Sequence, residues 1–158
     1  LNALNSSTKR TLDLRVVVGS GFSSELIQSL IKLSDSSPHN VSLIKSPNDL
    51  SAGMTWCDMA IATSGLTKYE LATTGTPAIL MSIDQSHNNV NQYFTISKSV
   101  LDLGVADDVS DITLLDSIWT LLENDKERSR QSLAGQNLVK GNGTQNLIDE
   151  IIKLYNTH

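Results

Sequence analysis

The segment from Asp58 to Pro77, DMAIATSGLTKYELATTGTP, constrains this chain more than any other. Asp58-Met59-Ala60-Ile61-Ala62 is short and almost uniformly apolar, the pattern of a strand covered on both sheet faces. Ser64-Gly65 breaks the run, and Gly65 allows a tight turn and close approach of the backbone to a ligand. A helix then begins near Leu66 or Thr67. Its free N–H groups point back at the turn, where the helix dipole favours an anion such as a diphosphate. Glu70 lies about one turn further in, within reach of hydroxyls such as those of a ribose. Thr74-Gly75-Thr76-Pro77 makes a second turn, and Ala78-Ile79-Leu80-Met81 is a second apolar run. The whole reads as a strand-turn-helix-turn-strand unit with a right-handed crossover. A solvated glutamate in the first turn of an ordinary helix would look the same in isolation.

The rest of the chain repeats the alternation. Residues 14–18 and 40–44 read as strands, and Leu26, Ile27, Leu30, Ile31 and Leu33 share one face of the helix between them. A short helix is expected from Asn48 to Thr55. After Met81 comes a polar loop from Ser82 to Asn89, then one helix with Val90, Tyr93, Phe94, Ser97 and Leu101 at helical spacing, and a small strand at 103–106. Three helices close the chain: one capped by Asp111, a polar one from Lys126 to Val139, and one with an apolar face of Leu147, Ile148, Ile151, Ile152 and Tyr155. Such alternation predicts an α/β, Rossmann-like parallel sheet with helices on both faces, in a single domain spanning residues 1–158.

Composition narrows the function. With 39% hydrophobic and 18% charged residues the chain has an ordinary globular balance, and its net charge of −5, without a basic block, argues against nucleic acid. No apolar run approaches the ~20 residues of a membrane span, so a cytoplasmic location is expected. The single Cys57 sits between Trp56 and Asp58 and reads as a small apolar side chain rather than a nucleophile. No metal site is expected, because His87 has only Asp84 nearby, while His39 lies in a turn and His158 at the terminus. Ser64 lacks the two flanking glycines of a nucleophile elbow.

The segment SGLTKYELATTGTPAIL resembles the nucleotide-sugar signature in the C-terminal domain of GT-B proteins. It is especially similar to the pseudaminic-acid-pathway UDP-sugar hydrolases and the related spore-coat polysaccharide proteins. The resemblance implies Glu70 as the ribose ligand and Ser64, Gly65, Leu66 and Thr67 as the phosphate turn. It also implies that the backbone at Ser46 meets the uracil ring, that Gly19 lines the cleft, and that Gln85, His87 and Asn88 read the sugar or the distal phosphate. Each of these has a plainer reading. Gly19-Ser20-Gly21 has Ser24 where a dinucleotide fingerprint wants its third glycine, Ser46-Pro47-Asn48 is a turn in its own right, and Asp84 to Asn89 could simply cap a helix.

The implied activity is that of half of a UDP-sugar hydrolase in nonulosonate or surface polysaccharide biosynthesis. The donor-binding half of a glycosyltransferase and a non-catalytic scaffold are the alternatives. In the hydrolases the catalytic histidine comes from the N-terminal GT-B domain, so this chain is expected to hold no catalytic residue, to need no cofactor, and to be inactive alone. In the family the C-terminal domain opens with a strand, a Gly-Gly turn and a helix, and Leu1 to Asn5 looks like the tail of that helix, so the strand at the sheet centre is expected to be missing. Its neighbours would then re-pair, leave edges exposed, or recruit another chain, a homo-oligomer included.

Overall fold

The structure, a computed structural model, describes residues 1–7 and 9–156. Its elements in order are α1 (Asn2–Asn5), β1 (Asp13–Val18), α2 (Ser24–Asp35), β2 (Asn40–Lys45), α3 (Ser51–Trp56), β3 (Ala60–Thr63) and α4 (Thr67–Thr74). They continue with β4 (Ala78–Ser82), α5 (Gln85–Asn89), α6 (Gln92–Ile96), β5 (Leu101–Val105), α7 (Asp111–Leu122), α8 (Asp125–Leu138) and α9 (Gly143–Asn156). The result is the expected Rossmann-like α/β arrangement, with one difference in the sheet.

All strand pairs are parallel, but they form two sheets. β1 pairs with β2 from Asp13↔Asn40 to Val18↔Lys45, and β3-β4-β5 form the second sheet, with Ala60 opposite Ala78 and Ile79 opposite Leu101. Among the described residues no strand lies between β1 and β3. Of the outcomes foreseen for a missing central strand, re-pairing does not occur, and each of these two strands keeps one edge unpaired.

β4 is the centre of the larger sheet, and Ala78, Ile79 and Leu80 are fully buried. Alternation sends them to opposite faces. Ala78 and Leu80 pack with Met54 of α3, Leu71 and Ala72 of α4, and Phe94 of α6. Ile79 packs with Leu4 of α1 and with Ile118 and Leu121 of α7, against which Leu12 and Leu14 also rest. Helices therefore cover both faces, and the second cluster joins the two sheets through a shared layer. Each fully buried large aliphatic contributes about 1.5–3 kcal/mol. Val17 and Ile44, opposite one another on β1 and β2, remain exposed, as does the apolar face of α9.

Local physics moved several boundaries. The polar loop expected from Ser82 to Asn89 contains the short helix α5, which Asp84 caps by accepting from the His87 N–H at 2.8 Å, and the helix expected after it shortens to α6, beyond which Lys98 takes a left-handed φ of 56°. Leu101 belongs to β5 instead, paired with Ile79. The cap of α7 is Ser110, whose hydroxyl accepts from the Thr113 N–H at 3.1 Å, so Asp111 is that helix's first residue.

Candidate functional site

The turn Ser64-Gly65-Leu66 joins the carboxyl end of β3 to α4, where ligands of open parallel sheets bind. Side chains cap the starts of α2, α5, α7 and α8, namely Ser23, Asp84, Ser110 and Asn124. At α4 the capping position holds Leu66, which has no side-chain oxygen; its carbonyl accepts from the Tyr69 N–H at 2.9 Å, and the first turn receives no side-chain cap. Leu66 is 81% exposed, and a β-carbon at Gly65 would meet no heavy atom within 4 Å. The mouth of α4 is open to a ligand acceptor.

Ser64 behaves differently from its neighbours in the turn. It is buried, and its hydroxyl donates to Ser82 Oγ at 2.5 Å. Thr67, the first residue of α4, is half-buried.

Glu70 is exposed on the first turn of α4 and lines a hollow of about 320 Å³ with Asp49, Leu50, Ser51, Met54, Tyr69, Thr73 and Thr74. Two helices build this hollow. α3 is tied to α4's far end because the Thr76 hydroxyl donates to the Met54 carbonyl at 2.8 Å, and Met54 packs with Leu71 and Ala72. Asp49 accepts from both the Ser51 N–H at 2.8 Å and the Ser51 hydroxyl at 2.7 Å, which holds its carboxyl below the usual aspartate range. Tyr69 packs edge-on against Phe94, with ring centroids 5.1 Å apart. Two carboxylates facing one cavity suit neutral hydroxyls rather than phosphate.

The remaining sequence candidates fall into two groups. Gly19 and Ser46 follow the carboxyl ends of β1 and β2; the Ser46 N–H donates to the Val18 carbonyl at 2.8 Å, and Ser46 has a left-handed φ of 39°. Neither lines the Glu70 hollow. Gln85, His87 and Asn88 belong to α5, after β4. Gln85 donates to Asn89 at 2.9 Å and His87 contacts the Asp84 carboxylate at 2.8 Å, both on the exposed side of the helix. That carboxylate lies below its ordinary range, first through the His87 backbone N–H and then through the His87 side chain. Asn88 is half-buried, accepts from Ser82, and lines a second hollow of about 390 Å³ with Asn89, Gln92, Thr95, Ile96 and Asp102.

Sequence reasoning missed Lys68, which is buried against Val90, Asn91 and Phe94. The signal was its spacing: Lys68, Leu71 and Ala72, at i, i+3 and i+4, form the buried face of α4. Asp49 and Ser82 were also missed as parts of the site, and Asn91 stood out only as one member of the polar cluster that follows β4.

Other candidates are structural. Cys57 is half-buried, with its thiol pushed up by burial and donating to the Met54 carbonyl. His39 is buried with Nδ1 accepting from the Leu12 N–H at 3.3 Å, so Nε2, 2.9 Å from the Leu4 carbonyl, carries the proton. Among the described residues no cluster of His, Cys, Asp or Glu could hold a metal ion, and His158 lies outside them. Among the same residues no helix is long and apolar enough to cross a membrane.

No family model matches the chain. Over 101 residues it is 28% identical to the spore coat polysaccharide biosynthesis protein SpsG of Bacillus subtilis (strain 168). The match covers 64% of this chain and 30% of that relative, so the chain is similar to a part of a longer protein.

Proposed function

We propose that this chain binds the nucleoside diphosphate part of a UDP-sugar, as half of a UDP-sugar hydrolase acting in nonulosonate or surface polysaccharide biosynthesis. The observation that carries the reading is the position of Glu70. Its carboxylate lines a hydroxyl-suited hollow between α3 and α4, one turn along from the uncapped helix mouth; the residues of that mouth, Ser64 to Thr67, lie outside the hollow, and a ligand with a diol at one end and a diphosphate at the other is the kind that would reach from one to the other. The ribose hydroxyls bond Glu70, and the phosphate oxygens take the amides after Gly65. The similarity to the B. subtilis protein, polysaccharide biosynthetic by name, supports the same setting.

In this reading the chain holds the leaving nucleotide, and its amides stabilise charge that develops on phosphate oxygen as the bond to it breaks. The base that activates water belongs to the N-terminal GT-B domain, outside this chain. Calorimetric titration tests the site. UDP binds saturably, Glu70→Ala weakens it by about 10- to 100-fold, as for a hydrogen bond to a charged group, and UDP lacking its ribose hydroxyls gains nothing from Glu70. Absence of saturable UDP binding, or full affinity in the variant, refutes the reading. With the complete protein, release of free sugar without an acceptor separates a hydrolase from a transferase.

A further inference from the structure

Lys68 is 2% exposed, yet among the described residues it has no carboxylate partner within salt-bridge distance. Its ammonium donates to Asn91 Oδ1 at 3.0 Å and to the Val90 carbonyl at 3.3 Å, and lies 5.4 and 5.5 Å from the ring centres of Phe94 and Tyr69. Burial pulls its pKa down, and the more distant Asp102 opposes this only in part. Such a cation is a poor device for stability, because a methionine of similar length would fill the space without the desolvation cost. Its consequence lies in the direction it imposes on the bonds beyond it.

An ammonium can only donate, so the Asn91 atom facing it must be the carbonyl oxygen. The Asn91 amide nitrogen is thereby turned to Ser82, to which it donates at 3.1 Å. Ser82 Oγ also accepts from the Ser64 hydroxyl at 2.5 Å. With two donors arriving, the Ser82 proton leaves in the remaining direction, to Asn88 Oδ1 at 3.4 Å. The chain of donation therefore runs from Lys68 through Asn91 and Ser82 to Asn88, and it fixes which way the last amide points. Asn88, which is half-buried, turns its oxygen to Ser82, two hydrogen bonds from the Ser64 hydroxyl, and leaves its NH₂ free of that chain, in a residue that lines the hollow of about 390 Å³.

Resting on the nucleotide reading above, we propose that Lys68 is a positioning residue that fixes Asn88 as a hydrogen-bond donor to the diphosphate held at the mouth of α4. The buried ammonium does not touch the ligand. It sets the polarity of a relay whose outer end offers N–H groups to phosphate oxygens, and reversal of that polarity would offer them a carbonyl lone pair instead.

Two experiments test this. In ligand-free protein, Lys68→Met shifts the side-chain amide resonances of Asn88, although Lys68 bonds to Asn91 and Val90 rather than to Asn88. In titrations with UDP and with uridine, Lys68→Met and Asn88→Ala each weaken UDP about tenfold, the double variant loses no more than the worse single one, and uridine stays within about twofold throughout. Asn91→Asp is the second route, should Lys68→Met not fold. It pairs Lys68 with a carboxylate and holds the fold, but an acceptor now faces Ser82, so UDP weakens by about the same factor while thermal stability is kept or raised. The proposal is overturned by unmoved Asn88 resonances, by parallel loss of uridine and UDP, or by losses that multiply in the double variant. If wild-type protein binds no UDP, the nucleotide reading falls and the assigned ligand with it, while the ligand-free spectra still report whether the relay exists.

Discussion

The pair Gly135→Ala and Gly53→Ala makes the same chemical change in two helices and is expected to move stability in opposite directions. Both glycines lie inside helices, α8 and α3, with ordinary helical backbone. Alanine therefore gains about 0.5–1 kcal/mol at each from chain entropy alone. A methyl group at Gly53 meets nothing within 4 Å, so the gain stands. At Gly135 the new carbon would lie 3.1 Å from Ala72 Cα, 3.2 Å from the Ala72 carbonyl oxygen and 3.4 Å from Ala72 Cβ. Two of these three are main-chain atoms of α4 and cannot rotate away, so the helices must part by a few tenths of an ångström. Overpacking of this kind costs about 1–3 kcal/mol, and the rigid contacts place this site in the upper half of that range. The balance is a loss of about 1–2 kcal/mol, or a fall in Tm of about 2–8 °C for a domain of this size. Urea denaturation and a thermal scan of the two variants against wild type provide the measurement. A midpoint for Gly135→Ala at or above wild type would refute the close packing of α8 on α4, and a loss at Gly53→Ala would refute the open space beside α3. The displaced helix carries Glu70, so Gly135→Ala also weakens UDP, and Gly53→Ala does not.

Leu80→Ala, in the fully buried centre of β4, costs about 2–5 kcal/mol by urea denaturation, whereas Val17→Ala on the uncovered face of β1 stays within about 0.5 kcal/mol. The Asp84 carboxyl, held by the His87 backbone N–H and side chain, titrates below the ordinary aspartate range by carbon-detected NMR. Because its folded pKa is depressed, the cap's contribution is present above the unfolded value and is lost as pH falls through the folded one, so α5 frays only in strongly acid solution. A midpoint at or above the ordinary range would show that the Asp84 cap does not form.

Strands and helices were legible because their periods are strong: the runs at 14–18, 40–44 and 78–81 each became a strand within a residue or two of the expected ends. The stretch after Met81 was misread for a physical reason. Val90, Tyr93, Phe94 and Leu101 keep helical spacing, but Leu101 gains a ladder partner in Ile79, and pairing across the sheet outweighs local pattern there. Glu70 was legible as a candidate because one helix turn fixes its relation to Gly65. The hollow it faces was not, since Asp49 and Ser51 arrive from a different crossover. Lys68 was hidden for the same reason. In TKYE it reads as one more solvated charge, and only the fold brings Asn91, 23 residues on, over its ammonium.

The two sheets divide the site into parts that depend on different contacts. Ser64, Lys68 and Glu70 stand on β3 and α4, which are braced by β4, by α8 at Gly135, and by α3 through Met54. That portion takes its β3–β4 ladder and its apolar backing from elements other than β1, while among the described residues the second edge of β3 stays unpaired. Gly19 and Ser46 stand on the β1–β2 pair, whose tie to the larger sheet is the shared layer of Leu4, Leu12, Leu14 and Ile79 rather than a ladder. A side-chain layer holds the distance between strands less tightly than paired backbones do, because its contacts are non-directional while ladder bonds fix register. The turn proposed to hold diphosphate and the carboxylate proposed to hold ribose therefore form the more firmly braced half of the candidate site. Whatever Gly19 and Ser46 add to the candidate site depends on how firmly that shared side-chain layer holds the β1–β2 pair.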